Sequence, residues 1–366
     1  MKWVNKICVA LCMVAVCAKA ELQTARVGMY TYTYRVVDGE AEIYNDGNRA
    51  IEPRPQGTFT IPSKLNGLPV TIGSYAFLNC KELRSVIIPK DVSTIYPTAF
   101  FDCVNLISFS VDSNNLNYVS RDGVLYDRTN KMLMKFPPSK SGEYRIPDDM
   151  SVIGIDAFEN SCNLTSLTLS SNATDTIMLM TSVEGNKQTP SFRVVQEIIN
   201  GHVLGGCVKL TSILVDSNNP TYTSVDGVLF NKEKTILIKY PPKKTGNYVI
   251  PEGVESIGIK AFEYCANLQS VTIPESVTNI GYMAFQHSSI TSLELPASIK
   301  TIDDYVFFDC KRLTTVRLKC AKPKQFGVDR GGSTIFHATP VTKIIVPRDM
   351  GWANGEMFGG KPVEVR

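Results

Sequence analysis

Residues 252–274 read EGVESIGIKAFEYCANLQSVTIP, and this stretch decides the fold. Its frame is Val254-x-x-Ile257-Gly258, then an Ala261-Phe262 pair, Cys265, and Leu268-x-x-Val271-x-Ile273-Pro274. Residues 275–296, ESVTNIGYMAFQHSSITSLELP, refill the frame with Val277, Ile280, Gly281, Ala284, Phe285, Ile290, Leu293, Leu295 and Pro296. A period near 23 residues marks a solenoid, because one unit cannot bury its apolar face alone and stacked units can. Within Leu-x-x-Val-x-Ile-Pro the alternation is that of a half-buried strand, and the proline, lacking an N–H, ends it. Val-x-x-Ile-Gly predicts a second short strand with a glycine to permit the turn. The Ala-Phe pair fills the coil interior. The expected class is mainly β, a solenoid of about eight ~23-residue coils with terminal caps.

Outward from this unit the frame recurs. Val70, Ile72, Ala76, Phe77, Cys80, Leu83, Val86 and Ile88 make the first full copy, in residues 67–89. Further copies centre on Ala99-Phe100, Ala157-Phe158, a worn Val203-Leu204, and Val306-Phe307, with a partial copy at Ile335-Phe336, so that the array spans 67–347. Two near copies of equal length, 111–147 and 215–251, interrupt it. Each has an Asp-Gly turn (Asp122-Gly123, Asp226-Gly227) and a Pro-Pro pair (Pro137-Pro138, Pro241-Pro242), and reads as a β-hairpin insertion that rejoins the coil at Ile-Pro. Residues 170–193 hold no frame residues at the expected spacing, which leaves a projecting loop and a decayed coil both open.

The first coil of a solenoid has an open face. Residues 21–66 fit a cover: Tyr30, Tyr32 and Tyr34 alternate with polar residues before a turn at Asp38-Gly39, as in a β-hairpin with a tyrosine core. Residues 348–366, with Trp352 and Phe358, fit the opposite cap. Residues 1–20 read as an export signal: Lys2 and Lys6, an apolar run from Ile7 to Val16, and Ala18-Lys19-Ala20 for cleavage. A lipid anchor at Cys17 is the minor alternative. Removing this segment leaves basic residues equal in number to the 35 acids. A neutral chain argues against nucleic acid or an anionic bilayer as partner, and no later stretch is long enough to span a membrane.

If like strands stack, equivalent side chains form columns. The residue before the strand's central apolar knob is Ser85, Ser108, Ser166, Ser212, Ser270, Ser292, Thr315 and Lys343. Small hydroxyls suit neighbour-to-neighbour hydrogen bonding in a tight sheet. The residue after the knob is Ile87, Ser110, Thr168, Leu214, Thr272, Glu294, Arg317 and Ile345. Its variation in size and charge makes this second column the candidate ligand-binding surface.

Other constellations carry less chemistry. Cys80, Cys103, Cys162, Cys207, Cys265 and Cys310 share one frame position, where Ser288 replaces them once, and buried thiols are expected rather than bridges. No Cys-x-x-Cys is present for zinc. His202, His287 and His337 fall near or inside the Phe-to-Cys bend and accompany no hydrolase or phosphate-binding motif, so they read as bend or surface residues. Asp112-Ser-Asn-Asn and Asp216-Ser-Asn-Asn suit Asx turns better than calcium loops. No catalytic residue, metal or cofactor is expected.

The segments IPESVTNIGYMAF, AFEYCANLQSVTIP and YTSVDGVLFNKEKTILIKYPPKKTGNYVIP resemble the BspA-like leucine-rich-repeat surface proteins of bacteria. IPSKLNGLPVTIG is similar to their entry into the first coil, and IIVPRDMGW to a shortened exit. The resemblance covers roughly residues 27–360. It implies an exported, often cell-surface protein whose relatives include adhesins, with no shared catalytic residues to carry over. The expected function is non-enzymatic binding of an extracellular or host protein or glycan. A structural component of the cell envelope is the alternative.

Overall fold

Each short coil leaves backbone donors and acceptors along its axis that only the next coil can satisfy, and this builds the molecule. The computed structural model describes residues 21–45, 47, 49–184, 187–195, 203–319, 325–326 and 335–366. The proposed export signal and His202 lie outside them. No α-helix occurs among the described residues. Two parallel ladders run along the stack. One is built from the longer strands, such as Leu268–Thr272, Ser292–Leu295 and Thr315–Leu318. The other is built from the two-residue strands Ser256–Ile257, Asn279–Ile280, Thr301–Ile302 and Gln325–Phe326.

The bend between them is held by coil-to-coil bonds. Phe262 N–H donates to Ala284 O at 2.7 Å, and Phe285 N–H to Val306 O at 2.8 Å. Inside, the phenylalanines stack: Phe262 on Phe285 at 4.9 Å and 2°, Phe285 on Phe307 at 5.5 Å, and Phe307 on Phe336 at 5.2 Å. Gly258 and Gly281 serve close approach rather than a turn conformation. A Cβ on Gly281 would lie 3.0 Å from the Gly258 carbonyl carbon of the preceding coil.

The stack is longer than the frame count predicts, with twelve longer strands where about eight coils are expected. Both insertions are part excursion and part coil. In the first, Tyr118–Arg121 and Val124–Asp127 form the expected hairpin. Met132–Lys135 then pairs in parallel with Val152–Ile153, and Gly142–Arg145 with Leu164–Leu169. Phe136 joins the aromatic stack 5.5 Å from Phe158, as Tyr240 does 5.3 Å from Phe262 in the second insertion. A buried lysine ties each inserted coil to the next. Lys135 Nζ donates to Asp156 O at 2.9 Å beside Glu159, and Lys239 Nζ to Lys260 O at 2.9 Å beside Glu263.

Further elements lie at both ends of the stack. Tyr32 and Tyr34 are buried, and Glu40–Ile43 pairs in parallel with Leu68–Ile72. Gly57–Thr60 pairs with Leu83–Ile88, so the stack begins before the first full repeat. At the far end Lys361–Val365 adds the last strand, with Trp352 and Phe358 buried against each other. Of the described part of 170–193, the first strand joins the ladder and then enters a hairpin. Asp175–Glu184 pairs its first two residues with Val152–Ile153, then forms a long antiparallel hairpin with Lys187–Val195.

The cysteine column is one of hydrogen bonds between coils. The thiol of Cys103 reaches Phe77 O at 3.1 Å, that of Cys207 reaches Phe158 O at 3.3 Å, and that of Cys310 reaches Phe285 O at 2.9 Å. All six described cysteines are unbridged, and five are buried. Cys162 is exposed, which corrects its placement in the column. One extra residue follows Phe158, so Ser161 takes the buried position and Cys162 is turned out. Burial pushes the thiols up, Cys80 to about 11 and Cys207 to about 12.

Two stability predictions follow from this packing. Cys310→Val removes the donor to Phe285 O and should cost about 1 kcal/mol in urea unfolding, whereas Cys310→Ser keeps a donor and should cost less. Lys239→Met leaves Glu263 buried with only Lys260, at 3.2 Å, as its cation. That should cost about 3 kcal/mol, the low end for a broken buried pair because one partner remains.

Candidate functional site

The outer face of the longer-strand ladder carries both predicted columns. In the hydroxyl column Ser85 bonds Ser108 at 2.9 Å and Ser166 bonds Ser212 at 3.0 Å, while Ser270 donates to Asn247 Oδ1 of the inserted coil at 2.9 Å. Its role is to join coils, as the small polar residues imply.

The second column faces solvent more openly. Ile87 is 38% exposed and Leu214 47%, and Ser110, Thr272, Glu294 and Arg317 are also exposed, while Thr168 and Ile345 are half-buried. In register Ile87 sits beside Ser110, Thr168 beside Leu214, and Glu294 beside Arg317, which is followed by Ile345. The eight residues do not form one uninterrupted row. Arg145, on Gly142–Arg145, pairs with Thr168, and Val249, 66% exposed, pairs with Thr272. Thr60 lies beside Ile87, and Glu364 beside Ile345. The signal for the two inserted members was present. Gly-Glu-Tyr-Arg-Ile-Pro at 142–147 and Gly-Asn-Tyr-Val-Ile-Pro at 246–251 carry the strand frame with tyrosine at the knob.

Two hairpin tips divide this face. Gly123 O accepts from Phe109 N–H and Gly227 O from Ile213 N–H, each at 2.8 Å. Both glycines have φ of +76°, and a Cβ on Gly227 would lie 3.0 Å from Ser212 Cβ. The charges are locally matched. Arg145 bridges Asp148 at 2.9 Å and Asp216 at 3.3 Å. Lys319 pairs with Glu294 at 2.6 Å, and Lys343 and Arg366 both engage Glu364, holding its carboxyl below the usual range. The side chains can supply apolar contact, hydroxyl hydrogen bonds and paired charge. Among the described residues no cluster of histidine, cysteine and carboxylate side chains suits a metal ion.

The weaker constellations take structural places. Asp112 Oδ1 accepts from Asn114 N–H at 2.8 Å in an Asx turn. The buried Asn115 donates to Pro89 O and Val92 O while accepting from Tyr118 N–H, and Asn219 repeats the arrangement. His287 and His337 lie on the bend, as expected. His287 Nδ1 is 2.9 Å from Asp309, and His337 stacks on Phe308 at 5.3 Å.

The chain matches the model of the BspA type leucine-rich-repeat region over residues 56–175, 135–236 and 240–361. It belongs to that family. A leucine-rich-repeat protein from Eubacterium ventriosum shares the fold at 20% identity and a TM-score of 0.52, over 90% of this chain and 79% of that one. The pneumococcal vaccine antigen PcpA does so at 19% identity and a TM-score of 0.52, over 88% and 81%. No curated protein matches.

Gly227→Ala tests the division of the face. A strained left-handed φ and the contact with Ser212 should destabilise the protein by about 1–3 kcal/mol in denaturant unfolding. A neutral result would mean that the hairpin tip does not hold its neighbouring strand.

Proposed function

We propose that this protein is an exported, non-enzymatic binding scaffold that recognises an extracellular protein or glycan across the outer face of its stacked sheet. The contrast between two adjacent columns carries the reading. In the hydroxyl column, Ser85 bonds Ser108 and Ser166 bonds Ser212 within the sheet. The column beside it presents apolar, hydroxyl and charged ends, Ile87, Thr168, Leu214, Glu294 and Arg317 among them, at positions where coil packing demands none of these types. A rigid sheet holding unlike side chains in fixed order is a pre-organised recognition surface. The projecting hairpin of residues 175–195 is a second candidate contact, since long excursions from a regular scaffold often carry function.

Family membership supports the reading, because BspA-type leucine-rich repeats are generally binding scaffolds rather than enzymes. The related pneumococcal protein is a vaccine antigen by name, in keeping with export and surface exposure. Burial favours the protonated thiol throughout the cysteine column, which argues against a thiolate nucleophile there.

Surface plasmon resonance of the purified protein against matrix proteins, with a glycan array, tests the proposal. At least one specific ligand is expected, with affinity reduced about tenfold or more in Glu294→Ala/Arg317→Ala at unchanged Tm. Binding that survives this change would place the contact away from the C-terminal end of the column. Folded protein that captures nothing would favour a structural role in the cell envelope.

A further inference from the structure

Along the bend, coils are joined in one direction, N–H of one to C=O of the next. Phe77 N–H donates to Ala99 O at 2.9 Å and Asn79 N–H to Phe101 O at 3.1 Å. Phe262 and Tyr264 repeat the pair on Ala284 O and Gln286 O, Phe285 and His287 on Val306 O and Phe308 O, and Phe307 and Asp309 on Ile335 O and His337 O. At each of these junctions the donors stand two residues apart, and so do the carbonyls that receive them. By register the corresponding carbonyls of the first full coil are Ala76 O and Leu78 O. Neither accepts a hydrogen bond among the described residues.

The N-terminal elements do not supply a bend for these two groups. Between them and the first coil lies a cavity of about 390 Å³, within the range of ligand sites. It is lined from the coil by Ala76, Leu78 and Asn79, and from the preceding loop by Asn45, Arg49 and Arg54. Two loop side chains do reach carbonyls of this bend. Asn45 Nδ2 donates to Tyr75 O and Arg54 Nη1 to Asn79 O, each at 3.0 Å. They take the neighbouring carbonyls and leave Ala76 O and Leu78 O open. Asn79 Oδ1 is a third acceptor, buried and without a partner. Arg49 makes an exposed ion pair with Glu52 at 3.5 Å, of the kind that contributes little and yields readily to an incoming group.

We propose that this cavity binds a short acidic peptide segment of a partner protein, its main chain standing where the bend of a preceding coil would be. Main-chain N–H groups at residues i and i+2 meet Ala76 O and Leu78 O, the spacing used at the junctions between coils. Chemistry narrows the occupant. Open acceptors call for donors, and the two guanidinium groups in the same cavity repel a cationic donor such as a lysine side chain. Peptide N–H groups are neutral donors that recur along a chain. An Asp or Glu carboxylate on the segment is then matched by Arg49, whose planar fork suits it. Affinity comes from backbone bonds and selectivity from a side-chain contact, as in other cases of main-chain recognition. This second site goes beyond the sheet-face reading and does not depend on it.

The test pans a display library of random heptapeptides on the purified protein. Enriched sequences are synthesised with blocked ends and measured by fluorescence anisotropy. Acidic peptides are expected, with affinity reduced about tenfold or more both in Arg49→Glu and when two alternate peptide amides are N-methylated. Tm of Arg49→Glu should stay within about 3 °C of the parent. Asn79→Gly keeps the left-handed backbone (φ 59°), removes Oδ1 and should also weaken binding. No enrichment, equal enrichment on Arg49→Glu, or indifference to N-methylation would overturn the assignment. So would self-association in sedimentation that Arg49→Glu abolishes, which would make the occupant a second copy of this chain. Glu294→Ala/Arg317→Ala should leave peptide binding unchanged, and loss there would move the peptide to the sheet face and remove this site.

Discussion

The structure depends on one constraint: a coil this short leaves the backbone polar groups of its strands unpaired by itself, closing only turns such as Ala261 N–H to Gly258 O and Cys265 N–H to Phe262 O. The strand N–H and C=O groups point along the axis, and they are paired when another coil arrives in register. The bonds from Phe262 N–H to Ala284 O and from Phe285 N–H to Val306 O show the same coil-to-coil pairing at the bend, beside its internal turn bonds. Side chains that must repeat coil after coil are the ones that let backbones come this close. Gly258 and Gly281 leave room, the phenylalanines stack face to face, and the thiols reach back to the preceding carbonyl.

The same constraint explains what the insertions became. A hairpin alone could leave the coil and return, but the stack beyond it would then face a gap. Each insertion therefore supplies a hairpin and a further coil, with Phe136 or Tyr240 completing the aromatic stack and a buried lysine completing the bend. The hairpin tips at Gly123 and Gly227 take strand N–H groups that the ladder leaves open. The long hairpin at 175–195 starts in register with Val152–Ile153, and its second strand, Lys187–Val195, ends that six-stranded sheet.

Freedom from packing demand is unevenly distributed. The hydroxyl column serves the sheet, and the neighbouring column is released to vary. On the bend, the left-handed position takes Asn79, Asp102, Asn160 and Asp309, and also Tyr264, His287 and Ala338.

Periodicity made most of the architecture legible in the sequence. The spacing of Ile257, Phe262, Cys265, Leu268 and Val271 implies a coil, because each position has one side of a closed turn to occupy. The tyrosine-rich hairpin and the variable column could be placed by the same counting. Counting failed where the register slipped by a residue or the knob changed type. Cys162 is turned out because Ser161 arrives first, and the strands at 142–145 and 246–249 hide behind tyrosine and the loss of the leucine. The sequence by itself therefore determined the repeating unit, since apolar periodicity is local. Only the tertiary structure decided how many coils stack and where the outer face is interrupted. Those facts depend on which backbone groups pair between coils, and no single repeat contains that information.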